Sequence, residues 1–167
     1  MRIFRWSLLI MCAVLLCGFD VPAQSSLELV GKTAPEFVRS DLAGREVDLK
    51  KNRGKVVLLN FWATWCAPCQ VELPEFERWQ HAYGAQGLQV IAISMDDGDA
   101  PVRRTVRRLH LDFPVLMGDA KLGEAYGGVL GLPVTLLIDR EGKVVSQFKG
   151  ETDLGEMESQ VKQLLAR

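Results

Sequence analysis

The run Val56–Trp62 is apolar at every position except Asn60, and it leads within four residues into Cys66-Ala67-Pro68-Cys69. An unbroken apolar run of this length predicts a central strand buried on both faces. Such a strand needs layers on each side, so the chain is expected to be α/β. The segments around it alternate in period. A helix is predicted over 68–85, with Val71, Phe76, Trp79 and Tyr83 at roughly helical spacing and Gly84 and Gly87 as its end. Pro74 lies about two turns in and is expected to kink it. Leu88–Ser94 reads as a second apolar strand, and 102–109 as a helix with Val102, Val106 and Leu109 on one face. A short strand at 113–117 and a short helix at 121–126 follow. Strands at 134–138 and 144–148 flank the turn Asp139–Gly142, and an amphipathic helix at 154–165 closes the chain. Segments 36–39 and 45–49 form a candidate hairpin near the start.

The first 23 residues have a different character. Arg2 and Arg5 precede an uncharged, mostly apolar run of 14 residues, Trp6 to Phe19, and Val21-Pro22-Ala23 offers a small residue at the cut and a tolerable one two before it. This pattern predicts an export signal over 1–23, removed to leave 24–167 as one domain, or retained as an anchor. The apolar run is shorter than the roughly 20 residues of a spanning helix. Cys12 and Cys17 follow Met11 and Leu16, not the small residues that a lipoprotein signal prefers, and read as apolar filler. Without 1–23 the chain keeps two cysteines, Cys66 and Cys69, and a net charge of −2. That balance excludes a nucleic-acid binder working through a basic surface. With 48% hydrophobic residues the chain is too apolar to be disordered.

The Cys pair carries the chemistry. Cys66 falls where strand gives way to helix. Pro68 suits a first helical turn, because its missing N–H is one that the helix leaves unpaired anyway. Free N–H groups and the positive helix end then face the Cys66 sulfur and stabilise a thiolate. Cys69 lies one turn further in, close enough to close a disulfide. A thiolate at Cys66 would attack a substrate disulfide, and Cys69 would resolve the mixed disulfide.

The segment Phe61-Trp62-Ala63-Thr64-Trp65-Cys66-Ala67-Pro68-Cys69 resembles the active-site segment of the thioredoxin superfamily, and more narrowly the exported TlpA/ResA group of thiol–disulfide oxidoreductases. Residues 31–37 resemble the entry segment that this group shares with the AhpC/TSA-like peroxiredoxins. Glu72, Pro74 and Phe76 match the group's E-x-P-x-F pattern, and 131–142 resemble its cis-proline strand and turn. The likeness covers about residues 30–165. It implies a thioredoxin-like three-layer sandwich with a mixed central sheet flanked by helices, an N-terminal β-hairpin and a central insertion. The insertion follows from the step of 67 positions from Cys66 to Pro133, more than a simple thioredoxin has.

The resemblance also implies roles. Cys66 and Cys69 are expected to be catalytic. Trp65, Pro68, Leu132 and Pro133 are expected to bind substrate, with a cis bond before Pro133 and the Leu132 backbone pairing an extended segment. Thioredoxin carries a buried Asp where this chain has Asn60, which cannot take a proton. Glu72, three residues after Cys69, is expected to transfer protons instead, its pKa raised by burial and by the thiolate. The implied activity is that of an exported protein-disulfide reductase, with cytochrome c maturation as one setting. Protein dithiols and disulfides are the expected substrates and a thiol-transferring membrane protein the electron donor. The protein is expected to be a periplasmic or extracytoplasmic monomer, without cofactor and without nucleic acid.

Two other readings compete. A peroxiredoxin-type peroxidase would need a Thr three residues before its reactive Cys, within a Pro-x-x-x-Thr pattern. Ala63 stands there, with no such Pro. A redox-inert binding module would not need the Cys pair. No metal is expected: no second Cys pair follows, and His81 and His110 lack ligand partners at metal spacing along the sequence. Arg103, Arg104, Arg107 and Arg108 are expected to form a solvated helix face.

Overall fold

The computed structural model describes residues 29–129 and 131–167; the expected export segment lies outside the described residues. Strand β3, Val56–Trp62, is buried at all seven positions. The physical reason is the period of two. Val56, Leu58 and Trp62 enter one apolar cluster, and Val57, Leu59 and Phe61 enter the other.

To reach these strands the chain first forms a small hairpin, β1 (Val38–Ser40) with β2 (Glu46–Asp48). After β3 it runs through helix α1 (Ala67–Tyr83) to β4 (Leu88–Ser94), then through α2 (Asp99–Leu109) to β5 (Val115–Met117). Strands β3, β4 and β5 are parallel, which is why a helix separates each pair. Helix α3 (Ala120–Ala125) leads towards β6 (Val134–Ile138), which pairs antiparallel with β3 and with β7 (Val144–Lys149). Helix α4 (Leu154–Leu165) follows. The sheet order is β5-β4-β3-β6-β7.

The layers follow from the two clusters. Leu73, Phe76 and Trp79 of α1, Val102 of α2 and Met157, Val161 and Leu164 of α4 cover one face. Phe37, Val47 and Leu49 of the hairpin region, with Leu122 of α3 and Tyr126, cover the other. Each large side chain buried in this way contributes about 1.5–3 kcal/mol. The result is a three-layer sandwich with a mixed sheet, a thioredoxin-like fold with an N-terminal hairpin.

Some details differ from expectation. Val71 is 64% exposed and does not share the face of Phe76 and Trp79. The buried stripe of α1 is Cys69, Glu72, Leu73, Phe76, Glu77 and Trp79, which keeps the three-and-four spacing that Val71 breaks. Helix α2 begins at Asp99, ahead of the expected start, because Pro101 is tolerated in a first turn. Pro74 lies inside α1, which continues to Tyr83. Gly87, with φ at 104°, ends the short 3-10 turn after α1 in a left-handed conformation that favours glycine. Among the described residues, no helix is long and apolar enough to cross a membrane.

Candidate active site

Cys66 is the N-cap of α1, with extended backbone at φ −85° and ψ 106°. An N-cap side chain normally offers an oxygen to the unpaired N–H groups of the first turn. Here the sulfur takes that place: the Cys69 N–H donates to Cys66 Sγ at 3.3 Å. Pro68 occupies the first turn. Cys66 and Cys69 form a disulfide, their Cα atoms 5.3 Å apart. Cys66 is 5% exposed and Cys69 fully buried, so Cys66 is the cysteine nearer to solvent.

The approach to Cys66 is held by a residue that sequence reasoning missed. The Asp96 carboxylate accepts the Thr64 N–H at 2.9 Å, the Thr64 hydroxyl at 2.6 Å and the Ser94 hydroxyl at 2.8 Å. The Met95 N–H donates to the Trp62 carbonyl at 2.8 Å. The available signal was position: Asp96 follows strand β4 directly, and parallel β3 and β4 end at the same edge of the sheet.

Glu72 is buried, as its place on the inner stripe requires. Its Oε2 has no hydrogen-bond partner. Burial, and secondarily the negative charge of Glu151, push its pKa up from 4.5 to about 7. Asn60 is also buried, and its amide donates to Thr135 Oγ1 at 2.9 Å across β3 and β6. It serves sheet pairing where thioredoxin carries an acid.

The Leu132–Pro133 peptide is cis. Pro133 is buried, and its carbonyl accepts the Gly150 N–H at 2.8 Å. Leu132 is half-buried and packs against the apolar cluster that contains Cys66, Cys69 and Trp62. The fold thus packs Leu132 into the same apolar cluster as the cysteines, from far along the chain. Trp65 is 71% exposed, so it and Val71 leave large apolar surface on either side of the Cys pair in sequence.

Residues 30–147 match the AhpC/TSA family. The chain belongs to that family. It is 39% identical over 136 residues to the thiol-disulfide oxidoreductase ResA of Bacillus thuringiensis subsp. konkukian, covering 81% of this chain and 78% of the relative. It is 43% identical over 122 residues to ResA of Geobacillus thermodenitrificans, covering 72% and 70%. Among solved structures it resembles a Chlorobium tepidum protein assigned as thiol:disulfide interchange protein DsbE, with a TM-score of 0.76 at 33% identity over 81% of this chain and 97% of that one. A second Chlorobium tepidum thiol:disulfide interchange protein of the thioredoxin family gives 0.74 at 27%, over 80% and 95%. With its Cys66–Cys69 pair, this family member is a thiol–disulfide oxidoreductase.

Away from the cysteines, one expectation is corrected. His81 does have potential ligand partners: its Nε2 lies 2.8 Å from Glu77 Oε1 and 3.9 Å from Asp112 Oδ2. Glu77 stands four residues earlier on α1, a spacing visible in the sequence. Asp112 arrives only through the fold, from the connection between α2 and β5. Arg103, Arg104, Arg107 and Arg108 lie exposed on α2. Arg103 pairs with Asp99 at 2.7 Å, and Arg108 donates to Gln70 at 2.6 Å.

Proposed function

We propose that this protein is an exported reductase of protein disulfides, with Cys66 as nucleophile and Cys69 as resolving thiol. The observation that carries the reading is the Cys69 N–H aimed at Cys66 Sγ at the start of α1. When the pair is reduced, that N–H and the helix end favour negative charge on Cys66. The Cys66 thiolate attacks one sulfur of a substrate disulfide. A mixed disulfide forms and the other substrate sulfur leaves as a thiolate. Cys69 then loses its proton and attacks the Cys66 sulfur, releasing the second substrate thiolate and closing Cys66–Cys69. Two electrons pass to the substrate, and a donor dithiol returns them.

Glu72 serves the proton of Cys69. It shares the inner face of α1 with Cys69, and its raised pKa lets it take or give a proton near neutrality. Trp65, Pro68, Leu132 and Pro133 bind the substrate segment, with the Leu132 backbone pairing it as an added strand. Trp65 and Val71 supply exposed apolar contact. The export pattern of 1–23 supports an extracytoplasmic domain over 24–167, working as a monomer and recharged by a thiol-transferring membrane protein. Cytochrome c maturation is the setting that this combination suits.

The test is reduction of insulin disulfides by the recombinant domain, run beside consumption of hydrogen peroxide. The expected result is insulin reduction that Cys66→Ser abolishes, with no comparable loss of peroxide. Rapid peroxide consumption without insulin reduction would move the protein to the peroxidase class. Cys69→Ser should accumulate client proteins as mixed disulfides on Cys66 and so name the substrates.

A further inference from the structure

Glu77 is an acid on the buried stripe of α1, only 8% exposed, and the redox chemistry does not use it. One of its carboxylate oxygens, Oε2, accepts the Asp112 N–H at 2.8 Å and holds the connection between α2 and β5 against α1. The other, Oε1, is buried and accepts no hydrogen bond. His81 Nε2 stands 2.8 Å from it, within ion-pair distance when the imidazole is protonated but outside hydrogen-bond geometry. With the imidazole neutral and Nε2 unprotonated, a buried, unpaired carboxylate oxygen and a ring nitrogen at this distance can serve one cation together. The Asp112 carboxylate completes the group, 3.9 Å from the same Nε2.

We propose that Glu77, His81 and Asp112 form a binding site for one divalent transition-metal ion of the zinc class, which clamps the α2–β5 connection onto α1. The ligand set decides the class. One imidazole with two carboxylates suits zinc and its neighbours, whereas magnesium and calcium prefer oxygen alone. The dimensions fit with a small adjustment. Two ligands at about 2.1 Å from an ion can stand at most about 4.2 Å apart. The three donor atoms lie within 4.8 Å of one another. The Asp112 side chain is 80% exposed and the His81 side chain 68%, so both are free to close on an ion, while buried Glu77 stays fixed. Water would fill the remaining positions.

The test uses the full domain with its disulfide formed, because reduced Cys66 and Cys69 would themselves bind zinc. The chain has only two histidines, His81 and His110, so imidazole NMR signals separate the site from background. Titration with zinc sulfate should shift the His81 ring signals, saturate near one equivalent, leave His110 in place and slow amide exchange at Asp112. Magnesium should do none of this. His81→Gln should abolish saturable binding, and Asp112→Asn should weaken it roughly tenfold or more. Both side chains are exposed, so both variants should keep the fold. No saturable His81 shift up to millimolar zinc would overturn the site, as would binding unchanged in Asp112→Asn or centred on His110. These outcomes are independent of insulin reduction, so the site and the redox reading stand or fall separately.

Discussion

The buried carboxyl of Glu72 should leave a signature in the pH dependence of folding, measurable without any redox substrate. Folded, Glu72 holds its proton up to about pH 7; its unshifted value is 4.5. Between those values the native chain binds more protons than the unfolded chain, so stability falls as pH rises through the window. Below about 4.5 both states hold the proton and Glu72 contributes no slope. Above about 7 both release it and the loss is complete. At about 1.4 kcal/mol per pH unit, the full loss is at most about 3 kcal/mol, since solvent near the site screens part of it. Roughly 2 kcal/mol of that should fall between pH 5 and pH 8.

Glu72→Gln removes the titration and nearly preserves the shape. Its amide brings donors that the site does not pair, a cost of about 1–3 kcal/mol that does not vary with pH. The informative quantity is therefore the difference between variant and wild type as a function of pH. Urea unfolding of both proteins, with the disulfide intact and no thiolate present, should show that difference growing in favour of Gln by about 2 kcal/mol from pH 5 to pH 8. Titrating groups that do not sense the Glu72 charge cancel in the comparison, and Glu151, which does, adds a smaller contribution. Parallel stability profiles for the two proteins would refute the reasoning and return Glu72 to an ordinary carboxylate.

Three further outcomes are expected. In the reduced protein at mildly acidic pH, iodoacetamide should label Cys66 before Cys69, because Cys66 caps the helix and is the less buried cysteine; mass spectrometry finding Cys69 labelled first would reverse the assigned roles. Reduction should leave the far-UV circular dichroism nearly unchanged, since a disulfide across three positions restrains little of the unfolded chain and the two apolar clusters carry stability; a large loss of signal would count against this. Asp96→Ala should release Thr64 and lower stability by about 1–3 kcal/mol through the lost charged hydrogen bonds, with insulin reduction slowed as the Cys66 approach loosens; wild-type values of both would show that Asp96 does not hold the loop.

What the sequence made legible was local. The unbroken run Val56–Trp62 announced burial on both faces, and Pro68 after Cys66 announced a helix start, because both depend only on near neighbours. The period of α1 was harder to read. Val71 and Leu73 are both apolar, and only the position of the sheet decides which one is buried. The polar architecture of the site was less visible still. Asn60 finds Thr135 at a separation of 75 residues, Thr64 finds Asp96 at 32, and Glu77 finds the Asp112 N–H at 35. No periodicity encodes such pairings. They exist because parallel strands bring their ends to one edge and because α1 lies against the connection that follows α2. A buried polar group must find a partner or shift its protonation, and these residues show the alternatives. Asp96 gathers three donors. Glu72 keeps one oxygen unpaired, and its proton affinity rises instead. That contrast separates an acid whose charge is held by donors from an acid whose charge is opposed by burial.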